Sequence, residues 1–173
     1  MNTIAELRSS LPQVGRVAWI GLSPAPRAEL NPVEQVAARV GTGLDGDHHA
    51  RSGKSNREVT LIQQEHLGVV AALLGINRVA PEWIRRNIVV AGINLAALAK
   101  ARFEIGDVLL EGTGPCAPCS RMEENLGTGG YNAMRGHGGI TARVLRGGTI
   151  RHGDAVRFIE LTQLAADRGG QLA

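Results

Sequence analysis

The sequence predicts a mainly β fold, a β-barrel with a few short helical insertions. Three observations carry this. Short apolar runs recur between turn signals, 23 glycines punctuate 173 residues, and hydrophobic residues make up 43% of the chain, enough for a packed core. The length fits one domain with small appendages. The expected organisation is an N-terminal helical appendage over residues 1–14, the barrel domain over 15–161 and a C-terminal tail over 162–173.

The elements follow in order. Thr3-x-x-Glu6 has the form of a capping box and opens a short helix that stops before Pro12. Gly15 to Gly21 reads as a strand bounded by glycines, and Val33 to Val40 leans towards strand through its β-branched ends. Gly41 to Asn56 is a long, polar, glycine-rich loop of the kind that carries function. Arg57 to Ile62 is a strand, and Gln63 to Leu74 a helix with Leu67, Val70 and Leu74 on one face and Gly75 as its stop. Pro81 opens a short helix over Glu82–Arg85, and Asn87 to Val90 reads as a buried strand. Two strands flank Gly106-Asp107. Two more, Ile140 to Arg146 and Thr149 to Leu161, flank Gly147-Gly148, a two-residue hairpin signal.

Composition excludes several functions. The charge balance, 19 basic against 16 acidic residues, is too mild for a nucleic-acid protein, and five aromatic residues leave little to stack on bases. The longest apolar stretch, Leu67 to Ile76, is about half the ~20 residues that a membrane span needs. The first residues show no signal-peptide pattern and two cysteines make no disulfide scaffold, so a cytoplasmic location with reduced thiols is expected. Only Lys54 and Lys100 are lysines, and neither sits in a Schiff-base setting, so no covalently bound pyridoxal phosphate is expected. Gly53-Lys54-Ser55 ends like a phosphate-binding P-loop, but His48 stands where the first glycine belongs.

The densest chemistry lies in Gly114-Pro115-Cys116-Ala117-Pro118-Cys119-Ser120-Arg121-Met122-Glu123. Ser120-x-x-Glu123 has capping-box form, so a helix is expected from Ser120 to Leu126 with Gly127 as its stop. Cys119 then lies just outside a helix N-terminus, where unpaired N–H groups favour a thiolate and Arg121 adds positive charge. Such a sulfur serves as nucleophile, persulfide carrier or soft metal ligand. The alternative is an inert buried cysteine. Cys116-x-x-Cys119 as a redox pair wants a βαβ setting that the strand pattern does not offer. As half of a zinc site it needs two more ligands, from His48, His49 or His137, and no second pair stands at ligand spacing. Arg57, Arg85, Arg86, Asn87, Arg135 and Arg143 fall at strand starts or in glycine-rich loops, places where a phosphate or a fused heterocycle is met. The alternative for each is surface solvation.

In order along the chain, Gly46-Asp47-His48-His49, Arg57-Glu58-Val59-Thr60-Leu61-Ile62, Arg85-Arg86-Asn87-Ile88, Phe103-Glu104-Ile105-Gly106-Asp107, Pro118-Cys119 and Gly138-Gly139-Ile140-x-Ala142-Arg143-Val144 resemble the MOSC domain. This is the C-terminal domain of molybdenum cofactor sulfurases and a stand-alone protein in bacteria. The resemblance runs from about Gly15 to Glu160. It implies a barrel-rich fold and one functional cysteine, Cys119, as molybdenum ligand and catalytic group. It further implies molybdenum cofactor held by Asp47, His49, Arg57, Arg86, Asn87, Arg121 and Arg143. The implied activity is reduction of N-hydroxylated compounds, a small-molecule chemistry with electrons from a partner protein. The alternatives are a persulfide carrier fed by a sulfur-donor protein, and a non-catalytic or zinc-stabilised binding module. No nucleic acid and no membrane partner is expected. Two departures stand out: Cys116 is an extra cysteine, open to a disulfide or a second sulfur-acceptor role, and His137 occupies an expected arginine position.

Overall fold

The computed structural model describes residues 1–48 and 56–162. His49, Lys54 and most of the C-terminal tail lie outside the described residues. Among the described residues there are eleven strands: β1 (Gly15–Leu22), β2 (Asn31–Pro32), β3 (Gln35–Arg39), β4 (Gly43–Leu44), β5 (Val59–Gln63), β6 (Ile88–Ala91), β7 (Ala101–Ile105), β8 (Val108–Pro115), β9 (Ile140–Arg146), β10 (Gly148–Arg151) and β11 (Ala155–Leu161). The helices are α1 (Ile4–Arg8), α2 (Gln64–Leu74), α3 (Leu95–Leu98), α4 (Ser120–Leu126) and α5 (Gly130–Met134), with a 3-10 turn over Pro81–Ile84.

Seven strands run in the order β11-β7-β8-β9-β5-β6-β1, and β1 pairs with β11 at Gly15↔Val156 and Arg16↔Ala155. The sheet therefore closes on itself and leaves no open edge among those seven. Period-two alternation fills the interior. Ala101, Phe103 and Ile105 of β7 and Val108 and Leu110 of β8 point inward, with Phe103 opposite Leu110. Each large aliphatic side chain buried in this way contributes about 1.5–3 kcal/mol.

β5 and β6 differ because both of their faces are covered. They run parallel, Leu61 opposite Ile88, joined through α2. Leu61, Ile88 and Val90 join the barrel core. Ile62 and Val89 face outward into a second cluster with Val70, Ile84, Met122 and Met134. This explains why the two strands read as continuous apolar runs. The second cluster is what fastens α2, α4, α5 and the 3-10 turn to the barrel wall.

Several expectations hold in detail. Thr3 and Glu6 form the capping box reciprocally. α2 ends at Gly75 in the left-handed conformation, φ 67°. Ile105 and Val108 pair across Gly106-Asp107 as a two-residue hairpin. One expectation fails. Gly147-Gly148 does not join a hairpin, because β10 leaves β9 and pairs with β3, Gly148↔Ala38 through Arg151↔Gln35, in a separate β10-β3-β4 sheet. A Cβ on Gly147 would lie 2.7 Å from Ala38 O, so the glycine permits close approach to β3. No described helix is long and apolar enough to cross a membrane.

One hydrogen-bonded row positions the site. Pro115↔Ile140, Ile140↔Leu61 and Leu61↔Ile88 link four strands. Cys116, Gly139 and Arg86-Asn87 each lie within two residues of that row.

Candidate functional site

Cys119 is exposed and Cys116 is buried, and both are free thiols. Cys119 is the residue that precedes the first turn of α4, with φ −122° and ψ 173°, as its position before Ser120 requires. Its sulfur makes no bond to the helix N–H groups. The capping box expected between Ser120 and Glu123 does not form, because Ser120 is already inside the helix. Glu123 instead accepts from Gly129 N (2.8 Å) and Tyr131 N (2.9 Å). These two donors hold its carboxyl below the usual carboxylate range, Tyr131 first. The contact staples the start of α5 to α4.

Arg86 is the centre of the arrangement. It is 1% exposed, and its side chain is the largest fully buried one among the described residues. Nε donates to Gly138 O (2.7 Å), Nη1 to Ile84 O (3.1 Å), and Nη2 to Cys116 O and Ala117 O (3.3 Å each). The planar guanidinium thereby ties the 3-10 turn, the cysteine segment and the Gly136–Gly139 loop together. Every one of these partners is a neutral carbonyl. Burial pushes its proton affinity down, Arg57 and Arg85 act in the same direction, and Cys116 and Cys119 oppose them. A buried charge without a carboxylate is costly, and the four carbonyl acceptors are what its hydrogen bonds set against that cost.

Gly138 is close-packed here, since a Cβ would meet Cys116 O at 2.1 Å. The Cys116 N–H in turn donates to Gly139 O at 2.8 Å. Both glycines permit this close backbone packing, and both also line a cavity of about 280 Å³ beside Cys116. Arg57 Nη2 donates to Cys116 Sγ at 3.0 Å.

Asp47 and Asn87 form a separate buried knot. Asp47 Oδ2 accepts from Ser23 N (3.0 Å) and from Asn87 Nδ2 (2.8 Å), and Asn87 Oδ1 accepts from the Thr60 hydroxyl (2.8 Å). Asn87 N donates to Thr60 Oγ1 at 3.0 Å. The knot locks the loop after β4 to the starts of β5 and β6. Every buried polar atom in it is matched, as burial demands.

The structure therefore brings together Arg57, Arg86 and the two cysteines, with Asp47 and Asn87 against the same strand starts. Arg121 pairs with Glu124 one turn along α4. It also lines a cavity of about 230 Å³ with Arg27, Glu29, Glu82, Trp83, Arg85 and Asn125. Arg143 is held on the exposed face of β9 by Glu111 of β8, its strand-pairing partner, and no printed bond ties it to the cysteine segment. His49 lies outside the described residues. His137 packs edge-on against His66, ring centroids 5.0 Å apart. Among the described residues no three His, Cys, Asp or Glu side chains gather as a metal site, so the zinc-stabilised alternative finds no ligand set there. A βαβ unit does exist, β5-α2-β6, but Cys116 follows the antiparallel strand β8 instead.

Arg27 is a residue that sequence reasoning missed. Among the described residues, Arg27 (φ 70°) and Arg85 (φ 55°) are the two non-glycine residues with positive φ, and both line the same cavity. A left-handed conformation costs about 1–2 kcal/mol for a side-chain-bearing residue, and strain of this kind concentrates at functional sites.

No curated protein matches the sequence. Among solved structures, YuaD from Bacillus subtilis superposes with a TM-score of 0.74 at 19% identity, covering 87% of this chain and 99% of that one. YiiM from Geobacillus stearothermophilus gives 0.69 at 18% identity, over 84% of this chain and 75% of that one. YiiM from Escherichia coli gives 0.64 at 18% identity, over 87% and 75%. At these identities the likeness establishes the fold. The family model for the MOSC domain matches residues 45–157, a span from the Asp47 knot through the cysteine segment to β11, and the chain belongs to the MOSC domain family.

Proposed function

We propose that this protein binds molybdenum cofactor with Cys119 Sγ as the metal ligand and reduces N-hydroxylated small molecules with electrons from a partner protein. The observation that carries the proposal is a positive cluster around two sulfurs. Arg57 donates to Cys116 Sγ, Arg86 donates to the Cys116 and Ala117 carbonyls, and among the described residues no carboxylate is hydrogen-bonded to the buried Arg86 guanidinium. Such a cluster suits a group that brings its own negative charge.

The residues present fit that group. An exposed cysteine sulfur is a soft donor for a transition metal. The cavity lined by Arg27, Arg85, Arg121 and Asn125 presents guanidinium forks and an amide, donors that match a phosphate, beside the carboxylates of Glu29 and Glu82. Bound there, the cofactor supplies two-electron redox chemistry at its metal. The protein's part is positional. Arg86 holds the cysteine segment through Cys116 O and Ala117 O, so the backbone that leads to Cys119 is anchored to the barrel. The Asp47–Asn87–Thr60 knot keeps the neighbouring loop in register.

The assay is reduction of an N-hydroxylated amidine by protein expressed in a cofactor-competent host, with a reduced viologen as electron source. Turnover that disappears in Cys119→Ser supports the proposal. Cofactor-loaded protein that forms no amidine overturns the reductase half of it.

A second reading, a persulfide carrier that receives sulfur on Cys119 from a donor protein, draws on one observation. The Cys119 side chain is exposed, as transfer between proteins requires. Persulfide on Cys119 after incubation with a cysteine desulfurase, in protein that takes up no molybdenum, would favour this reading over the first.

A further inference from the structure

His66 of α2 is a half-buried imidazole for which the cofactor proposal has no use. Its Nδ1 is sealed from water and has no hydrogen-bond partner, while Nε2 also lacks a partner but is not sealed. A sealed N–H without an acceptor is costly, so the neutral ring carries its proton on Nε2. Burial, and after it His137, push the proton affinity of His66 down against a weaker pull from Glu65, which favours that neutral ring. The His137 ring braces it edge-on, with ring centroids 5.0 Å apart.

His66 lines a cavity of about 280 Å³ between α3 and the loop before β9. Leu95, Ala99, Pro115 and Ile140 supply its hydrocarbon, and Leu95 and Ile140 are themselves buried. Ala96 and Gly136, both exposed, mark its open side. Among the described residues no carboxylate, ammonium or guanidinium group lines it, and Nε2–H is its one side-chain hydrogen-bond donor. An apolar cavity with a single placed polar group is the usual make-up of a small-molecule site. Its volume is roughly twice the ~150 Å³ that holds benzene and falls below the ~300–1,000 Å³ of drug-sized sites.

We propose that this cavity binds an uncharged molecule built on one ring, whose carbonyl oxygen accepts the His66 Nε2–H. An ionic ligand is disfavoured, because nothing in the lining offsets a buried charge. Plain hydrocarbon fits less well, because it covers Nε2–H without bonding it. The cavity shares Pro115, Gly136 and Gly139 with the one that Cys116 lines, so its ligand rests against the wall of the cysteine segment. The inference stands on this cavity and not on a bound cofactor.

The test titrates the full-length, metal-free, isotope-labelled chain with benzamide and follows its amide chemical shifts, with benzoate and toluene as comparators. Benzamide should give saturable shifts at Ala96, Ala99, Gly136 and Gly139. Benzoate, the same ring with a charge, should bind at least about tenfold more weakly. His66→Phe keeps a ring and removes the donor, so it should weaken benzamide roughly tenfold (~1.4 kcal/mol) and leave toluene unchanged. Ala96→Trp, at an exposed position, puts a large ring across the open side and should abolish binding of both. Four outcomes overturn the proposal. Benzamide shifts are absent from these residues, benzoate binds as tightly as benzamide, Ala96→Trp binds like the parent, or the preference for benzamide over toluene survives His66→Phe with its fold intact by circular dichroism. Neither molybdenum nor a cysteine takes part, so failure here leaves the cofactor proposal standing, and failure there leaves this one.

Discussion

Replacing Arg86 by methionine removes the charge while keeping most of the side-chain volume. The guanidinium makes four bonds of 3.3 Å or less to carbonyls of Gly138, Ile84, Cys116 and Ala117. A hydrogen bond to a charged group is worth about 1.5–3 kcal/mol, and a buried acceptor left without a donor costs about 1–3 kcal/mol. Simple addition would overshoot, since removing a buried charge that has no carboxylate returns several kcal/mol of desolvation. The balance is a loss of about 3–5 kcal/mol, which in a chain of this length lowers the melting temperature by about 10 °C. Urea unfolding with reduced thiols measures it directly. Arg86→Lys should fall between the two, because a lysine keeps the charge but reaches fewer of the four carbonyls. A methionine variant within about 1 kcal/mol of the parent would refute the role given to this side chain as the tie between three segments.

Other consequences are as accessible. A Cβ on Gly112 of β8 would lie 1.9 Å from Leu98 O, so Gly112→Ala should push α3 off the barrel and cost about 1–3 kcal/mol in the same assay. An unchanged midpoint would show that α3 yields freely. The His66 ring has its proton affinity pushed below the ordinary value of 6.5 by burial and then by His137, against a weaker pull from Glu65. The folded state therefore binds fewer protons than the unfolded one. Its contribution is complete above pH 6.5 and is lost progressively as the pH falls below that value. Melting temperatures between about pH 8 and about pH 5 should fall less steeply in His66→Gln than in the parent, and parallel curves would contradict this.

Much of the barrel was readable before any coordinates. β1, α2 with its Gly75 stop, α4 between Cys119 and Gly127, and the Gly106-Asp107 hairpin are local features, each set by a cap, a glycine or a period within a few residues. What escaped depends on distant partners. Gly147-Gly148 looks like a hairpin turn, but Ala38 of β3, over a hundred residues earlier, decides where β10 goes. α5 went unread because its start rests on Gly129 and on the Glu123 carboxylate, a side chain that the sequence assigned to Ser120. α3 did carry a signal: the Asn94 side chain accepts from Ala96 N at its first turn, but only four residues follow.

The candidate site shows the same division. Cys119 before a helix was legible from the residues around it. The Arg57 bond to Cys116 spans 59 residues and was not. Nor was the burial of Arg86, since a pair of arginines before a strand reads the same whether its side chains meet solvent or carbonyls. The strained Arg27 and Arg85 that share a cavity are likewise visible only once φ is known.

The cysteine's role as metal ligand is tested most directly by molybdenum content, measured by inductively coupled plasma mass spectrometry. Wild type, Cys116→Ser and Cys119→Ser should be purified side by side from a cofactor-competent host. Molybdenum equimolar with the chain in the first two and near background in Cys119→Ser is the predicted result. Equal molybdenum in all three, or none in any of them after reconstitution, would contradict it.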